Sequence, residues 1–411
     1  MLVNHSAPPH PRDARPIISW TGATAWQIPH AVRRGDTTAA QVVADHLDHA
    51  RVADRILDAF RYLRAGAAIA EAEQVDEQPD LSTLPLAGVP VLIHEGVTLA
   101  GLPAGDASTN GIASADHEIV RRLRGAGAVV LGTSRAFASA DAPGGSRSPW
   151  RTDHASTGAA AAVGAGIVPI AVDAGGSGGA YGGLVGLAPG RPGNGNRNRP
   201  TGADPTELVR PVVLATNAAD AALGLAVVTG RDYGPLPAPS RLRVAVAPRP
   251  PAVLARADAG ARRSVARVAR LLAAHGHDAV LVAAPRGRRL APADWRDRCV
   301  AFFAGGGFDA LLLPAWVGRP ALVDEGAIIA SWLAAGLPVL VLPSGVRRTD
   351  PRHRGLPGGV LLVGPPGADL RLLALAGQVE TEAPWPPHAP TWPRLSLDTA
   401  ANWARPPSAA R

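Results

Sequence analysis

The first regular pattern of apolar and polar positions runs through residues 37–63, TTAAQVVADHLDHARVADRILDAFRYL. Apolar residues recur there at the spacing of one face of an α-helix. They are Val42, Val43, Leu47, Ile56, Leu57 and Phe60. Thr37 and Thr38 are both suitable N-caps. The pattern therefore predicts an amphipathic helix that begins near this pair and buries its apolar face.

Shorter apolar runs alternate with helical patterns along the rest of the chain. GVPVLIH at 88–94 predicts a buried strand, and residues 118–135 predict a helix ending near Gly125 and then a strand over Ala128–Leu131. The same order of helix and strand recurs at 261–282, 307–316 and 329–345. This alternation is typical of α/β proteins. We expect one large domain, with a mixed, mostly buried β-sheet core covered by helices.

The chain ends differ in composition from this central part. Residues 1–16 are rich in Pro, His and Arg and predict a loose N-terminal arm, while residues 381–411 form a Pro/Trp-rich C-terminal tail. Between them, 17–380 contain neither a sequence repeat nor a clear linker. We therefore expect a single domain over 17–380.

Composition excludes several classes of function. The 411 residues are 46% hydrophobic and 18% charged, which is enough apolar material for a large core. The net charge is +7, but the basic residues are scattered rather than arranged in a stripe with aromatics, so no nucleic-acid partner is expected. No apolar run is long enough for a membrane span and no leader is recognisable, which predicts a cytoplasmic protein without a membrane partner.

The sequence contains no lysine, so all 41 basic residues are arginine. A Schiff base and a lysine general base are therefore both excluded, as is a Walker-type phosphate loop, whose lysine has no source here. The single cysteine, Cys299, rules out a disulfide framework and a thiolate metal site, and most simply fills the core.

A glycine-rich segment, VDAGGSGGAYGG at 172–183, carries the main candidate chemistry. Apolar runs flank it on both sides, which argues against a flexible linker, and its glycines do not have the spacing of a dinucleotide fingerprint. Glycines allow backbone amides to converge near the hydroxyl of Ser177. Such amides stabilise a developing oxyanion.

Several motifs together resemble the amidase signature family. The segment STGAAAAVGAGIVPIAVDAGGS resembles the Gly/Ser-rich signature of that family, and LPLAGVPVLIHEGVTLAGLPAGDAS resembles its first catalytic strand and loop. LRGAGAVVLGTSR and GLPVLVLPSG resemble later strands, in the expected order. The resemblance covers most of residues 25–380 and implies the amidase-signature fold.

The resemblance also implies a hydrolase of amides, and sometimes esters, that uses a serine nucleophile, a bridging serine in a cis peptide and a lysine base. Ser177 takes the nucleophile position, and Asp173 takes that of the aspartate which braces the loop. The oxyanion-hole amides correspond to Ala174, Gly175, Gly176 and Ser177. The bridging serine corresponds to Ser156 when Ser-Thr-Gly is aligned, whereas Ala155 takes the position when the downstream AVGAG is aligned.

The chain departs from the family at the base, because His94 stands where the family has its lysine. A neutral imidazole is a competent general base, but it is shorter and more rigid than a lysine side chain. The alternative is a polar residue that fills a vestigial pocket. Glu95 is not expected to orient the ring, because adjacent strand residues point to opposite faces. The segment after Ser177 and the region near 285–300 are also shorter than the family pattern.

Three functions remain open at this level: an amidase-like enzyme with altered chemistry, an inactive amidase-fold protein that binds a small molecule or protein partner, and an acyl-transfer or cyclising enzyme. The retained Asp173–Ser177 segment favours an enzyme acting on a small-molecule amide or acyl substrate. We expect no cofactor and no metal, since no histidine pair has a supporting carboxylate. His154 is a weaker candidate base. An oligomer is compatible with the sequence.

Overall fold

The computed structural model describes 19–103, 111–136, 145–174, 185–189, 211–231, 236, 240–249, 259–287, 290–315, 325–346 and 354–385. The helices are α1 Gln27–Arg34, α2 Ala39–Leu57, α3 Ala65–Asp76, α4 Glu118–Gly125, α5 Gly158–Gly164, α6 Ala218–Thr229, α7 Ala259–Ala274, α8 Pro292–Gly306, α9 Glu325–Ala334 and α10 Asp369–Glu382. The strands are β1 Phe60–Leu63, β2 Pro90–His94, β3 Val129–Ser134, β4 Arg147–Ser148, β5 Arg151–Ala155, β6 Ile170–Ala174, β7 Val185–Ala188, β8 Pro211–Ala215, β9 Arg243–Val246, β10 Asp278–Leu281, β11 Ala310–Pro314, β12 Val339–Val346 and β13 Pro357–Val363.

The predicted amphipathic helix is α2, and its N-cap is Thr38. The Thr38 hydroxyl oxygen accepts a hydrogen bond from the Gln41 amide at 3.1 Å. The helix is shorter than the pattern suggests, because Phe60 already belongs to β1. One carboxylate oxygen of Asp54 accepts from the Ala59 and Phe60 amides at 2.6 and 3.0 Å, which turns the chain out of the helix.

The core is an eleven-stranded mixed sheet among the described residues, with the order β1-β3-β2-β6-β8-β7-β12-β13-β11-β9-β10. β2 runs parallel to both of its neighbours, β3 and β6. The carboxyl ends of these three strands therefore meet at one edge of the sheet. β4 and β5 form a separate antiparallel hairpin.

Helices cover both faces of this sheet. Residues of α2, α5, α6, α7 and α10 pack in one apolar cluster, and residues of α8 and α9 pack in another. β11 contributes to both, since Leu312 joins the first cluster while Leu311 and Leu313 join the second. The predicted α/β fold, with its mixed and mostly buried sheet, is confirmed. No helix in the described part of the chain combines the length and hydropathy needed to cross a bilayer.

Two carboxylates, the buried Asp220 and the half-buried Glu380, tie α1 and α10 to α6. Asp220, in the first turn of α6, accepts from the Ala25 and Trp26 amides at 3.0 and 3.2 Å, just before α1 begins. Glu380 on α10 accepts from the Ala218 amide at 3.0 Å. Burial raises the pKa of Asp220 to about 6 and that of Glu380 to about 7. Both carboxylates therefore hold protons more tightly in the folded protein than in the unfolded chain.

The raised pKa of Asp220 predicts a pH-dependent effect of the Asp220→Asn substitution. Because the unfolded carboxylate releases its proton near pH 3.8 and the folded one near pH 6, its contribution to stability falls as the pH rises between these values. The unfolding free energy of wild type minus that of the variant should fall by about 2 kcal/mol from pH 4 to pH 7. Urea unfolding at several pH values measures this difference. A difference for Asp220→Asn that stays constant over this pH range contradicts the prediction.

Candidate active site

His94 and Asp173 lie side by side at the carboxyl edge of the sheet. β2 and β6 pair in parallel with Ile93 opposite Val172, which places the next residue of each strand opposite the other. Facing residues of neighbouring strands project from the same side of a sheet. The His94 Nε2 atom lies 3.8 Å from Asp173 Oδ1, and the two side chains are only 12% and 4% exposed. The sequence placed both residues in the site, and the structure brings their side chains together.

The hydrogen bonding of His94 assigns the two ring nitrogens different roles. The Gly96 amide donates to Nδ1 at 2.9 Å. In a neutral imidazole one nitrogen accepts and the other carries the proton. The proton is therefore assigned to Nε2, which faces Asp173, and Nδ1 is the basic nitrogen. Glu95 takes no part in this arrangement, because its Oε1 accepts from the Ala136 amide at 2.7 Å.

Ser156 occupies the turn between β5 and α5. Its amide donates to the Ser146 carbonyl at 2.8 Å, and the residue is fully buried. Among the described residues its Oγ has no hydrogen-bond partner. The alternative at this position, Ala155, has no hydroxyl to offer. The described peptide bonds are all trans, so Ser156 differs here from the cis peptide that the resemblance implies.

Ser134 is a buried hydroxyl that the sequence reasoning missed. It is the last residue of β3 and pairs in register with His94. It is fully buried, and among the described residues its Oγ has no partner. Ser156 lies close to this strand end, since the Gly158 amide donates to the Arg135 carbonyl at 3.0 Å. The available signal was the polar pair Thr133-Ser134 closing an otherwise apolar strand.

The described part of the site stops just short of the predicted nucleophile. Asp173 and Ala174 end β6, where they pair with Val212 and Pro211. Gly175, Gly176 and Ser177 lie outside the described residues, so the predicted oxyanion cradle stays a prediction. In the sequence they follow Ala174, the last residue of β6, which comes directly after Asp173.

The two weaker candidates from the sequence, His154 and Cys299, have surroundings that account for them without a catalytic role. His154 Nδ1 lies 2.9 Å from Oδ1 of the exposed Asp153, and the His154 side chain is half-buried. Hydrogen bonds from Arg151 and then from His154 hold the pKa of Asp153 well below its usual range. Cys299 is fully buried, and burial raises the pKa of its thiol to about 12, which disfavours the reactive thiolate. Among the described residues, no three His, Cys, Asp or Glu side chains form a group suited to a metal ion.

Comparison with known proteins finds similarity to amidases both in a family model and in individual relatives. The family model described as Amidase matches residues 41–304. "Putative amidase AmiB2" of Mycobacterium bovis is 37% identical over 176 residues, which are 38% of this chain and 38% of that protein. "Putative amidase AmiA2" of Mycobacterium tuberculosis is 34% identical over 173 residues, which are 38% of this chain and 36% of that protein. The match thus spans less than two fifths of the length of these relatives.

Solved structures of the same fold cover nearly the whole chain. The structure of 6-aminohexanoate cyclic dimer hydrolase has a TM-score of 0.73 and 21% identity, covering 91% of this chain and 99% of its own. The peptide amidase from Stenotrophomonas maltophilia has a TM-score of 0.68 and 22% identity, with 90% and 99% covered. At this level of identity the likeness concerns the fold.

Proposed function

Because the chain belongs to the amidase family, we propose that it cleaves an amide or related acyl bond of a small molecule through Ser177. One observation carries this proposal. The imidazole of His94 and the carboxylate of Asp173, 3.8 Å apart, lie at the carboxyl ends of β2 and β6, and Ser177 follows Asp173 by four residues in the sequence. An imidazole with a neighbouring carboxylate and a serine nucleophile are the groups that acyl transfer of this kind requires.

In the proposed reaction, Nδ1 of His94 is the base. The Ser177 hydroxyl attacks the carbonyl carbon, and its proton passes to Nδ1, with the Ser156 hydroxyl as relay. The Asp173 carboxylate keeps the other proton on Nε2 and stabilises the imidazolium. The amides of Ala174–Ser177 receive the oxyanion. The imidazolium then protonates the leaving nitrogen as the C–N bond breaks, and water releases the acyl group by the same steps.

A second candidate function is binding without hydrolysis. The Gly96 amide occupies the Nδ1 lone pair at 2.9 Å, and this hydrogen bond must break before His94 accepts a proton. If it persists when substrate binds, the imidazole holds Asp173 in place and transfers nothing. An acyl-transfer or cyclising enzyme would share the first half of the proposed reaction and use an amine or hydroxyl instead of water in the second.

Labelling with a fluorophosphonate probe distinguishes an activated serine from a binding fold. We expect one equivalent of label on the wild-type chain, located on Ser177 by peptide mass spectrometry, because the probe phosphonylates, with loss of fluoride, a serine whose proton a nearby base removes. Ser177→Ala should lose the label completely. Ser82→Ala, an exposed serine, is the matched control and should label like wild type.

Each outcome of the labelling experiment supports one candidate function and contradicts the other. Label that disappears only in Ser177→Ala supports the enzyme. A wild-type chain that takes no label, while it folds normally, contradicts the hydrolase and leaves the binding function.

A further inference from the structure

Ser134, His94 and Asp173 form a row across three neighbouring strands at the carboxyl edge of the sheet. β3, β2 and β6 are consecutive in the sheet and run parallel, with Ser134 paired to His94 and Ile93 paired to Val172. Residues that face each other on neighbouring strands project from the same side of the sheet, and the strands are about 4.8 Å apart. Ser134 is therefore the neighbour of His94 on the side opposite to Asp173.

The hydroxyl of Ser134 is buried without a partner. The residue is fully buried, and its Oγ has no hydrogen-bond partner among the described residues. On its other side β3 pairs with β1, where Ser134 faces the apolar ring of Phe60. Burial of a hydroxyl without a hydrogen bond costs stability. The imidazole of His94 is thus the polar neighbour of Ser134 in this row, and the hydroxyl stays unused while the ring is neutral.

Protonation of His94 changes what its Nδ1 atom requires. In the structure Nδ1 accepts a hydrogen bond from the Gly96 amide at 2.9 Å. In an imidazolium both ring nitrogens are donors, so Nδ1 can no longer share a hydrogen bond with an amide N–H. Nε2 faces Oδ1 of Asp173 at 3.8 Å. The Nδ1 proton therefore needs an acceptor of its own.

Glu95, the residue after His94, carries the nearest carboxylate in the sequence, but other groups engage it. Its Oε1 accepts from the Ala136 amide at 2.7 Å, and its Oε2 lies 3.6 Å from Nε of Arg61. Adjacent residues of an extended chain also project in opposite directions. A serine oxygen, by contrast, has two lone pairs with which to accept.

We propose, on the basis of the proposed function, that Ser134 Oγ accepts the hydrogen bond of the Nδ1 proton once His94 is protonated. Ser134 is a positioning residue, because it acts through the imidazolium and holds that ring in place during acyl transfer. It gains and loses no proton itself. The proton comes from the Ser177 hydroxyl through Ser156 and goes on to the leaving nitrogen.

Two variants of equal shape test this role. Ser134→Thr keeps the hydroxyl, and Ser134→Val replaces it by a methyl group. We expect the valine variant to label with the fluorophosphonate about 10-fold or more slowly than the threonine variant, because a hydrogen bond to a charged group is lost. In urea the valine variant should be equally or more stable, because within the described residues the hydroxyl has no partner to lose. A merely structural hydroxyl would not give slower labelling without lower stability.

Thr133→Val is the matched control. Thr133 precedes Ser134 on β3 and is also buried, with an Oγ1 that has no partner among the described residues. It projects to the opposite face of the sheet, so its variant should label like wild type. In a His94→Gln background, the Thr and Val variants at 134 should label at equal rates, because the hydroxyl acts only on the imidazolium. If the added methyl group impairs folding, Ser134→Ala against wild type gives the same comparison.

The results that overturn the inference differ from those that overturn the proposed function. Equal labelling of Ser134→Thr and Ser134→Val overturns the role of Ser134 and leaves Ser177 as the nucleophile. A valine variant that loses stability together with rate also overturns it, because the hydroxyl then has a partner in the resting fold. A folded wild-type chain that takes no label overturns the proposed function, and the role of Ser134 with it.

Discussion

Replacing His94 by alanine is expected to lower the rate of Ser177 labelling on the order of 10³-fold, because general base catalysis is lost. The Nε2 atom of this imidazole lies 3.8 Å from Oδ1 of Asp173, which precedes Ser177 by four residues in the sequence. The measurement is the second-order rate constant for fluorophosphonate labelling at a fixed pH.

Two further variants distinguish the role of Nδ1 of His94 as a base from the role of Nε2 as a hydrogen-bond donor to Asp173. The amide N–H of His94→Gln approximates the position of Nε2 and keeps a donor towards Asp173, but it provides no base. Asp173→Asn leaves the imidazole in place and removes the charge that fixes its proton on Nε2. If Nδ1 is the base, both variants should lose most of the labelling rate.

The outcome that contradicts this role is specific. A His94→Gln protein that labels at the wild-type rate would show that His94 acts as a hydrogen-bond donor to Asp173 and that the proton goes elsewhere. His30→Ala, a surface histidine stacked on Trp26, is the control and should leave the rate unchanged. A parallel loss in that control would indicate damage to the fold rather than to the site.

The sequence was sufficient for the elements that depend on local pattern. The helical spacing from Val42 to Leu57 predicts α2, and a threonine before it predicts the cap that Thr38 supplies. The apolar run ending at His94 predicts β2. Each of these follows from interactions within a few residues, where apolar spacing and capping chemistry are directly readable.

The contacts that define the candidate site are non-local and could not be read in the same way. His94 meets Asp173 only because β2 and β6 are neighbours, and Ser134 joins them only because β3 lies on the other side of β2. The spacing of apolar residues predicts individual strands but does not indicate which strands are neighbours in the sheet. The hydrogen bond from the Gly96 amide to Nδ1 of His94 depends on the conformation of the turn after β2. The identities of Glu95 and Gly96 do not specify that conformation.

Gly158→Ala is expected to be among the most damaging single substitutions in the chain, although it adds only one methyl group. A Cβ at this position would lie 2.0 Å from the Ala59 carbonyl oxygen and 2.7 Å from the Arg135 amide nitrogen. Both are backbone atoms, which cannot rotate away as a side chain can. The first turn of α5 must therefore move, and overpacking of this kind should cost about 3 kcal/mol of unfolding free energy.

The same displacement should reach the site, because Ser156 immediately precedes this turn and the Gly158 amide is hydrogen-bonded to the Arg135 carbonyl at 3.0 Å. We expect a lower urea midpoint together with slower Ser177 labelling in the protein that remains folded. Gly66→Ala in α3 is the matched control: a Cβ there meets nothing within 4 Å, and alanine favours a helix, so stability should stay equal or rise. Wild-type stability and labelling in Gly158→Ala would mean that α5 can shift without moving Ser156. The close approach of Gly158 to Ala59 would then have no part in positioning the proposed relay.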